Sequence, residues 1–330
     1  MTLYIIRRII GGVGTLFLVT LFTMLIFFTL TPDPAASICG QTCSPERIDA
    51  IRSMLGVDQP FLTQFWTYIS SLFVGRTIGE GAGAIHCAAP CLGYSFQTRQ
   101  DVLGMIASRL PVTQTLAVGA AVLWLVAGIA GGVISGLKAG TVWDKGMMTF
   151  ALIGIALPNY LVALVLQYVL VVKLRWLPFP SNVSPFEQPV LWLQSYLMPW
   201  IVLALMFAAL YSRLTRSSII ETLDENFIRT ARAKGLSRKV IIGRHALRPS
   251  LSPVVTLFGI DFATLLGGAI ITETVFGLNG VGKLAYDAIA TNDQPVLMGI
   301  TLLAGFAVVI ANIVVDIVYH FLDPRVRRAA

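Results

Sequence analysis

The segment RTARAKGLSRKVIIGRHALRPS, Arg229 to Ser250, is the most strongly basic part of a chain that is otherwise largely apolar. It carries eight basic side chains when His245 is counted as protonated. In ETLDENFIRTARAKG, which overlaps its start, four side chains recur at helical spacing: Leu223, Phe227, Ala231 and Lys234. This pattern predicts a helix that Gly235 ends in a left-handed conformation. Ser237 is then placed to cap a second short helix, RKVIIGRHAL, before Pro249.

The composition of the chain predicts a membrane protein. Hydrophobic residues make up 56% of the sequence and charged residues 12%, unlike the proportions of soluble globular domains. A helix needs about 20 mostly apolar residues to cross the hydrocarbon layer. Runs of that length occur at six places: 9–31, 110–137, 147–172, 196–220, 251–272 and 295–320. We therefore predict an all-α polytopic membrane protein with about six transmembrane helices.

The distribution of Lys and Arg predicts the orientation, since short cytoplasmic loops carry the excess of these residues. An N-terminus inside places most of the 24 Lys and Arg residues on the cytoplasmic side. They are Arg7, Arg8, Lys138, Lys145, those from Arg213 to Arg248, Arg325, Arg327 and Arg328. Both termini are therefore predicted to be cytoplasmic, and residues 32–109 to form an extracytoplasmic cap. The first apolar run is too long for a typical signal-peptide core, which favours a retained helix.

The four cysteines all lie in this cap, as CGQTC with Cys39 and Cys43 and as CAAPC with Cys87 and Cys91. Thiols in an external segment indicate disulfides in an oxidising compartment. Bridges within each pair and cross-bridges between the pairs both remain open, and a four-thiolate zinc site is a third, less favoured arrangement. Between the pairs, SPERIDAIRSML has a helix start with Ser44 as the N-cap, so the cap is predicted to be structured.

The sequence contains only weak indications that this chain catalyses a reaction by itself. GLNGVGKL, Gly277 to Leu284, fits most of a phosphate-binding loop, but Leu284 stands where a Ser or Thr would bind magnesium. A glycine-rich turn is the simpler interpretation. No His, Cys and carboxylate spacing indicates a metal site, and no Ser, His and Asp set indicates a catalytic triad. We therefore predict no catalytic residues, no bound metal and no cofactor in this chain.

Several residues inside the predicted spans carry structural or functional hypotheses. Ionisable groups within a membrane are costly and usually face protein or water. Asp261 and Glu273 are therefore candidates for a translocation path, with buried structural hydrogen bonds as the alternative. Pro158 frees a backbone carbonyl and is expected to kink the third span. Four glycines at four-residue intervals predict a face for close helix packing: Gly128, Gly132, Gly136 and Gly140.

Two interpretations of the basic segment compete. A basic amphipathic helix can lie on the membrane surface, attracted to anionic lipid. The small residues near its bend, Ala231, Ala233 and Gly235, instead offer a close docking surface for a protein partner, which lipid does not require.

The segment resembles the cytoplasmic coupling motif, often called the EAA loop, of permease subunits of binding-protein-dependent ABC importers, in particular the oligopeptide and dipeptide permease family. The resemblance covers nearly the whole chain: SPERIDAIRSMLGVDQP, LGYSFQTRQDVLGMIASRLPVTQTLAVG, LPNYLVALVLQYVLVVKLRWLP, ITETVFGLNGVGKLAYDAI and the closing VVDIVYHFLDPRVR. Arg229 and Thr230 stand where many importers carry Glu and Ala, although RTARAKGL is typical of the peptide branch.

The resemblance implies a type I ABC importer permease fold and a division of labour among subunits. A sister permease would form the solute path with this chain, and an extracytoplasmic binding protein would deliver the solute. Two ATPase subunits would bind ATP and Mg and carry out hydrolysis. The coupling contacts to an ATPase subunit would be Phe227, Ala231, Arg232, Ala233, Gly235 and Leu236.

The same resemblance implies a multi-pass protein of the plasma (inner) membrane of a prokaryote, surrounded by lipid and without nucleic acid. Its expected divisions are a cytoplasmic N-terminus with the first helix (1–31), the cap (32–109) and the permease core (110–330) with its coupling segment (221–248). CGQTC and GRTIGEGAGAIHCAAPCLG look inserted relative to the family. Because both insertions occur together, cross-bridges between the cysteine pairs are slightly preferred.

Peptides are the expected solute. Nickel chelates or haem carried by the same machinery remain alternatives. An ion-coupled secondary transporter belongs to a different class and would predict inverted repeats, which the sequence does not show convincingly.

Overall fold

The computed structural model describes residues 2–30, 35, 44–55, 58–79 and 84–322. The first part contains helix α1 (Thr2–Leu30) and the cap, with α2 (Pro45–Leu55), α3 (Phe61–Val74) and the short strands β1 (Arg76–Ile78), β2 (Ile85–Cys87), β3 (Tyr94–Ser95) and β4 (Gln100–Asp101). The helices α4 (Val102–Leu137), α5 (Val142–Ala156), α6 (Asn159–Lys173) and α7 (Pro189–Asp224) follow. The remaining helices are α8 (Asn226–Ala233), α9 (Arg238–Ser250), α10 (Ser252–Leu266), α11 (Ile270–Val275), α12 (Val281–Ala290) and α13 (Gln294–Leu322).

The helices of the described part account for the predicted spans. Four are long and apolar enough to cross a membrane: α1, α4, α7 and α13. Two bent pairs, α5 with α6 at 96° and α9 with α10 at 44°, raise this number to six if each pair is one span. The break between α5 and α6 lies at Pro158, as predicted, because proline has no N–H to continue the helical ladder. The all-α polytopic fold class is confirmed.

The contacts between α4 and α7 show that these helices run in the same direction. Trp200 Nε1 donates a hydrogen bond to Thr115 O at 3.0 Å near the start of both helices. Towards their ends, a Cβ added at Gly136 would lie 2.9 Å from Ile219 Cγ2. Because α4 and α7 are parallel, the chain between them has to return from the end of α4 to the side where α7 begins. Helices α5 and α6 together therefore cross from one side to the other as one bent span.

Close packing along this contact confirms the predicted glycine face. A Cβ at Gly128 would lie 2.7 Å from Tyr211 Cβ, and one at Gly132 would lie 2.6 Å from Ser212 O. Any side chain at these positions would therefore force the helices apart. The prediction was wrong for Gly140, which lies beyond the end of α4 at Leu137 and adopts φ +80° in the following turn.

Helices α1 and α13 are antiparallel neighbours. A Cβ at Gly12, early in α1, would lie 2.6 Å from Val309 Cγ1. Late in α1, Met24 packs instead with Met298, which precedes Val309 in α13. The start of α1 and the end of α13 therefore lie at the same end of the molecule.

Helix α10 is antiparallel to α13, since Gly259 lies against Val315 and Gly267 against Ala304. Just before α10, Ser250 Oγ donates a hydrogen bond to Ser218 O of α7 at 3.2 Å. One end of the molecule therefore contains the end of α7, the segment α8–α9, the start of α1 and the end of α13. We call it the coupling end. The cap lies at the opposite, outer end.

The cap is structured and packs on the permease core. Helix α2 confirms the helix predicted from SPERIDAIRSML. On α3, Phe65 and Tyr68 are buried against side chains of α1 and α13. Ser95 Oγ donates a short hydrogen bond to the buried Asp293 carboxylate, which joins β3 to the connection before α13. Burial raises the pKa of Asp293, and the bond from Ser95 opposes this shift.

A local disulfide joins Cys87 to Cys91, with their Cα atoms 5.5 Å apart. The cross-bridges that we slightly preferred are therefore wrong for this pair, because the turn after β2 brings the two thiols together and leaves neither for a distant partner. Cys39 and Cys43 lie outside the described residues. Ser71 Oγ of α3 donates a hydrogen bond to Cys91 O at 3.2 Å, which anchors the disulfide turn.

Candidate functional site

Helix α8 is the centre of the candidate coupling site and is separate from α7. The predicted helix through ETLDENFIRTARAKG is broken at Glu225, whose extended backbone (φ −67°, ψ 148°) interrupts the helical ladder. Ile228 N and Arg229 N then bond to Glu225 O at 3.0 and 3.3 Å and start α8. The break lets the basic helix turn away from the axis of α7.

The glycine predicted to end this helix does so. Gly235 adopts φ +72°. Leu236 N donates to Ala231 O at 3.3 Å, and Gly235 N donates to Arg232 O at 3.0 Å, which together form a Schellman motif. The cap predicted at Ser237 is confirmed only in its backbone, because its side chain makes no capping hydrogen bond.

One face of α8 is packed onto α9. Ile228 and Ala231 are buried with Ile241 and Ala246 of α9, and Leu223 at the end of α7 completes the cluster. We call this cluster the coupling base. Ala231 is 6% exposed because its side chain faces the base, and its contact with a partner stays a prediction.

Other side chains of this segment are open to solvent. Phe227 is 38% exposed and Leu236 is 39% exposed. Arg232, Ala233 and Gly235, the other predicted contact residues, are also exposed. Exposed basic side chains surround this apolar pair, namely Arg229, Lys234, Arg238 and Lys239, and the acidic Asp224 and Glu225 precede α8.

The hydroxyl of Ser250 fixes the coupling base to α7. Its oxygen lies 3.2 Å from Ser218 O, 2.9 Å from Thr222 Oγ1 and 2.7 Å from Ala246 O, so its single hydrogen can be donated to any of these acceptors. The segment from Asn226 to Ser250 is therefore held against the end of α7 by both packing and hydrogen bonds. A rigid element with exposed apolar and basic side chains can bind a partner and transmit the partner's displacement to the membrane-spanning helices.

The two carboxylates proposed for the translocation path have structural partners. Asp261, half-buried on α10, accepts a hydrogen bond from Tyr211 Oη at 2.8 Å. Glu273 is 0% exposed. It accepts hydrogen bonds from Thr113 Oγ1 at 2.9 Å and from Lys283 N at 2.8 Å. The Glu273 carboxylate ties α4 and α11 to the start of α12, which is the structural alternative for this residue, and its place in a path stays a prediction.

The turn GLNGVGKL has a structural role as well. Gly277 adopts φ +66°, and α12 begins after it at Val281. Val281 N donates to Thr113 Oγ1 at 2.8 Å. This agrees with the interpretation of the motif as a glycine-rich turn.

The sequence analysis did not predict a groove that lies at the outer end. It has a volume of about 700 Å³ and lies between α4, α7 and the loop before α7. Trp192, Tyr196 and Trp200 line it on α7, with successive ring centroids 5.9 Å apart. Gln114 and Asn182 add amide groups to its lining. Aromatic residues spaced four apart in a span are typical of core packing, so the pattern gave no signal of a groove.

The sequence analysis also did not predict a partly buried ion pair near the coupling end. Asp144 accepts bonds from Arg216 Nε at 2.6 Å and Nη2 at 2.8 Å, and from Gly140 N at 2.8 Å. Ser135 Oγ donates a further, short hydrogen bond to the same carboxylate. The pair joins the turn between α4 and α5 to α7. Its two charges are 72 positions apart, so only the fold brings them together.

Among the described residues, no group of three or more His, Cys, Asp or Glu side chains is arranged to hold a metal ion.

Four membrane-length helices and two bent helix pairs, with a basic segment at one end and a structured cap at the other, define a polytopic membrane protein. Residues 128–328 match the family described as binding-protein-dependent transport system inner membrane component, and residues 1–117 match the N-terminal part of such membrane components. The chain belongs to this family of inner-membrane permeases.

Relatives of known type match over almost their entire length. The putative peptide transport system permease protein of Brucella abortus (strain 2308) is 36% identical over 327 residues, covering 99% of both chains. The glutathione transport system permease protein GsiC of Escherichia coli (strain K12) is 35% identical over 324 residues, covering 98% of both. A probable peptide ABC transporter permease protein of Sinorhizobium fredii is 32% identical over 327 residues, covering 99% of this chain and 100% of that protein.

Proposed function

We propose that this chain is one of two permease subunits of an ATP-driven importer of peptides. In this proposal a sister permease completes the path, and an extracytoplasmic binding protein delivers peptides to the outer end. Two ATPase subunits bind ATP and Mg and dock at the coupling end. Both termini are then cytoplasmic, which agrees with the excess of Lys and Arg at that end.

The observation that carries the coupling function is the combination of buried and exposed apolar residues in this segment. Ile228 and Ala231 are buried and fix α8 to α9, while Phe227, one turn before Ala231, and Leu236, just after the helix, remain exposed. Aromatic side chains in the centre of an interface contribute much of its binding energy. We propose that Phe227 and Leu236 enter a groove of an ATPase subunit and that the surrounding cations set the orientation.

The proposed movement follows from the way in which α8 is held. When the ATPase subunits close, α8 is displaced together with the coupling base. Ser250 and Leu223 then transmit the displacement to α7, a helix of 36 residues that extends from the coupling end to the outer groove. A link of this kind can alternate between inward-open and outward-open states because it stays rigid in both.

Peptide as the solute rests on the relatives with 36% and 32% identity, whose names specify peptides. The outer groove supports the same proposal, because its aromatic rings and amide groups suit side chains and peptide bonds. We propose that this groove forms part of the solute path, and that the cap receives the binding protein.

Uptake of labelled di- and tripeptides by the reconstituted complex with its binding protein tests the solute. Glutathione and a nickel chelate serve as comparison solutes. We expect peptide uptake that requires ATP and disappears when the ATPase subunits are omitted. Uptake of the nickel chelate without uptake of any peptide would overturn the peptide proposal, and uptake without ATPase subunits would overturn the importer proposal.

A further inference from the structure

A second groove, of about 720 Å³, lies on the half of the molecule nearer the coupling end. Its floor is α7 and its walls are α4 and α5, with Leu123, Trp143, Phe150 and Ile201 among its lining residues. Apart from the Ser212 hydroxyl and the Trp143 indole N–H, its side chains are apolar. We call it the inner groove. An open apolar groove of this size within the membrane needs an apolar occupant.

Basic side chains stand at the coupling end of the inner groove. Lys138, at the end of α4, places its ammonium group 5.2 Å from the centre of the Trp143 ring. Lys145 in the first turn of α5 and Arg213 beside Ser212 are exposed. The acidic residue among them, Asp144, is buried and bound by Arg216, so it does not neutralise these exposed cations.

The arrangement matches the two parts of one kind of molecule. Anionic phospholipids have apolar acyl chains below a negatively charged phosphate, and tryptophan is favoured at the level where the two regions meet. Each Lys or Arg close to an anionic membrane surface contributes about 1 kcal/mol of attraction. A helix of another protein would also fill the apolar part, but it would leave the Lys138 ammonium group over the Trp143 ring without an anion.

We propose that the inner groove is a binding site for an anionic phospholipid. The acyl chains lie along α7 between α4 and α5, and the phosphate lies among Lys138, Lys145 and Arg213. This site is separate from the exposed residues of α8, and it does not depend on which solute the permease carries.

Gly146 offers a way to block the groove without disturbing the fold. It lines the groove within α5, and a Cβ added there meets no atom within 4 Å. Gly146→Leu should therefore fill the groove and leave the helix intact. Gly14→Leu in α1 is the matched control, because that position is equally open and does not line the groove. A combined Lys138→Gln, Lys145→Gln and Arg213→Gln variant removes the charges, with Lys173→Gln at the outer end of α6 as its control.

The full transport complex would be placed in nanodiscs of phosphatidylcholine and phosphatidylglycerol in equal amounts. Native mass spectrometry would then count the lipids that remain bound after release. We expect wild type to retain phosphatidylglycerol, and the combined charge variant to lose this preference by about tenfold or more. Gly146→Leu should lower retention of both lipids, whereas Gly14→Leu and Lys173→Gln should resemble wild type.

Replacing Phe150 by a photoreactive phenylalanine identifies the occupant directly. A lipid adduct supports the proposal, and an adduct with the sister permease overturns it. Equal retention of both lipids by wild type, or unchanged retention in both the charge variant and Gly146→Leu, would overturn it as well.

Discussion

Gly235 and Gly243 separate the two ways in which a glycine can matter. Both lie in the coupling segment, and a Cβ added at either meets no atom within 4 Å. Only Gly235 has a left-handed backbone, with φ +72°. A Cβ therefore has room at both sites, and only the backbone strain that it would cause at Gly235 distinguishes the two substitutions.

The Gly235→Ala variant should strain the Schellman motif by about 1 to 2 kcal/mol, because a Cβ disfavours the left-handed region. We expect weaker binding of the ATPase subunits, or ATP hydrolysis that is less tightly linked to uptake. Solute-stimulated ATPase activity and uptake would be measured in parallel. Gly243→Ala is the control, and equal coupling losses in both variants would contradict the strain argument.

The ion pair of Asp144 and Arg216 predicts a different pattern at the same scale. Asp144 is buried but Arg216 is 30% exposed, so removing Arg216 leaves a carboxylate without its cation at a cost below the about 3 to 5 kcal/mol of a fully buried pair. Arg216→Met should therefore lower the thermal stability of the protein. The double variant with Asp144→Leu should recover much of it. A double variant as unstable as Arg216→Met would show that the pair is not the source of the loss.

At the scale of the element, neighbouring residues on α8 have opposite roles. Ile228 is 0% exposed and belongs to the coupling base, whereas Phe227 is 38% exposed. A helix of only 8 residues is not stable alone in water, so the base has to hold it in shape. The exposed residues are then available for a partner.

Ile228→Ala and Phe227→Ala test this division. Ile228→Ala should destabilise the segment by about 2 to 5 kcal/mol through the cavity that it leaves. Phe227→Ala should leave thermal stability nearly unchanged but weaken ATPase binding by roughly 2 kcal/mol, about thirtyfold in affinity. Thermal unfolding and co-purification distinguish the two effects. If the Phe227 variant binds the ATPase subunits as tightly as wild type, the result would contradict the docking proposal and favour a segment that lies on the membrane surface.

At the scale of the molecule, the parallel contact of α4 and α7 controls the topology. It requires the bent pair α5–α6 to cross the membrane once, although neither helix is long enough to do so straight. With the antiparallel pairs α1–α13 and α10–α13, this arrangement gives six crossings and places the coupling segment beside the start of α1.

Labelling of single cysteines in intact cells tests this topology. With the natural cysteines replaced, Ser237→Cys at the coupling end should stay unlabelled by a membrane-impermeant maleimide until the cells are opened. Ser184→Cys in the loop before α7 should be labelled from outside. Labelling of Ser237→Cys together with protection of Ser184→Cys in intact cells would show that α5 and α6 re-enter the same side.

The sequence by itself determined the number of spans, the end of α8 at Gly235 and the close helix face at Gly128 and Gly132. These features depend on local rules: an apolar length, a residue that tolerates positive φ, and a four-residue spacing. The family resemblance rested on motifs that are contiguous in the chain. The resemblance could therefore also be recognised from the sequence alone.

The tertiary structure alone decided which side chains meet. Ala231 faces the coupling base because α9 folds back on α8, and Glu273 is buried because α4 supplies Thr113 from 160 positions away. The Asp144 and Arg216 ion pair and both grooves have the same origin. Their partners are set by the packing of distant helices and strands, and a linear pattern does not encode the direction in which a side chain points once those elements are assembled.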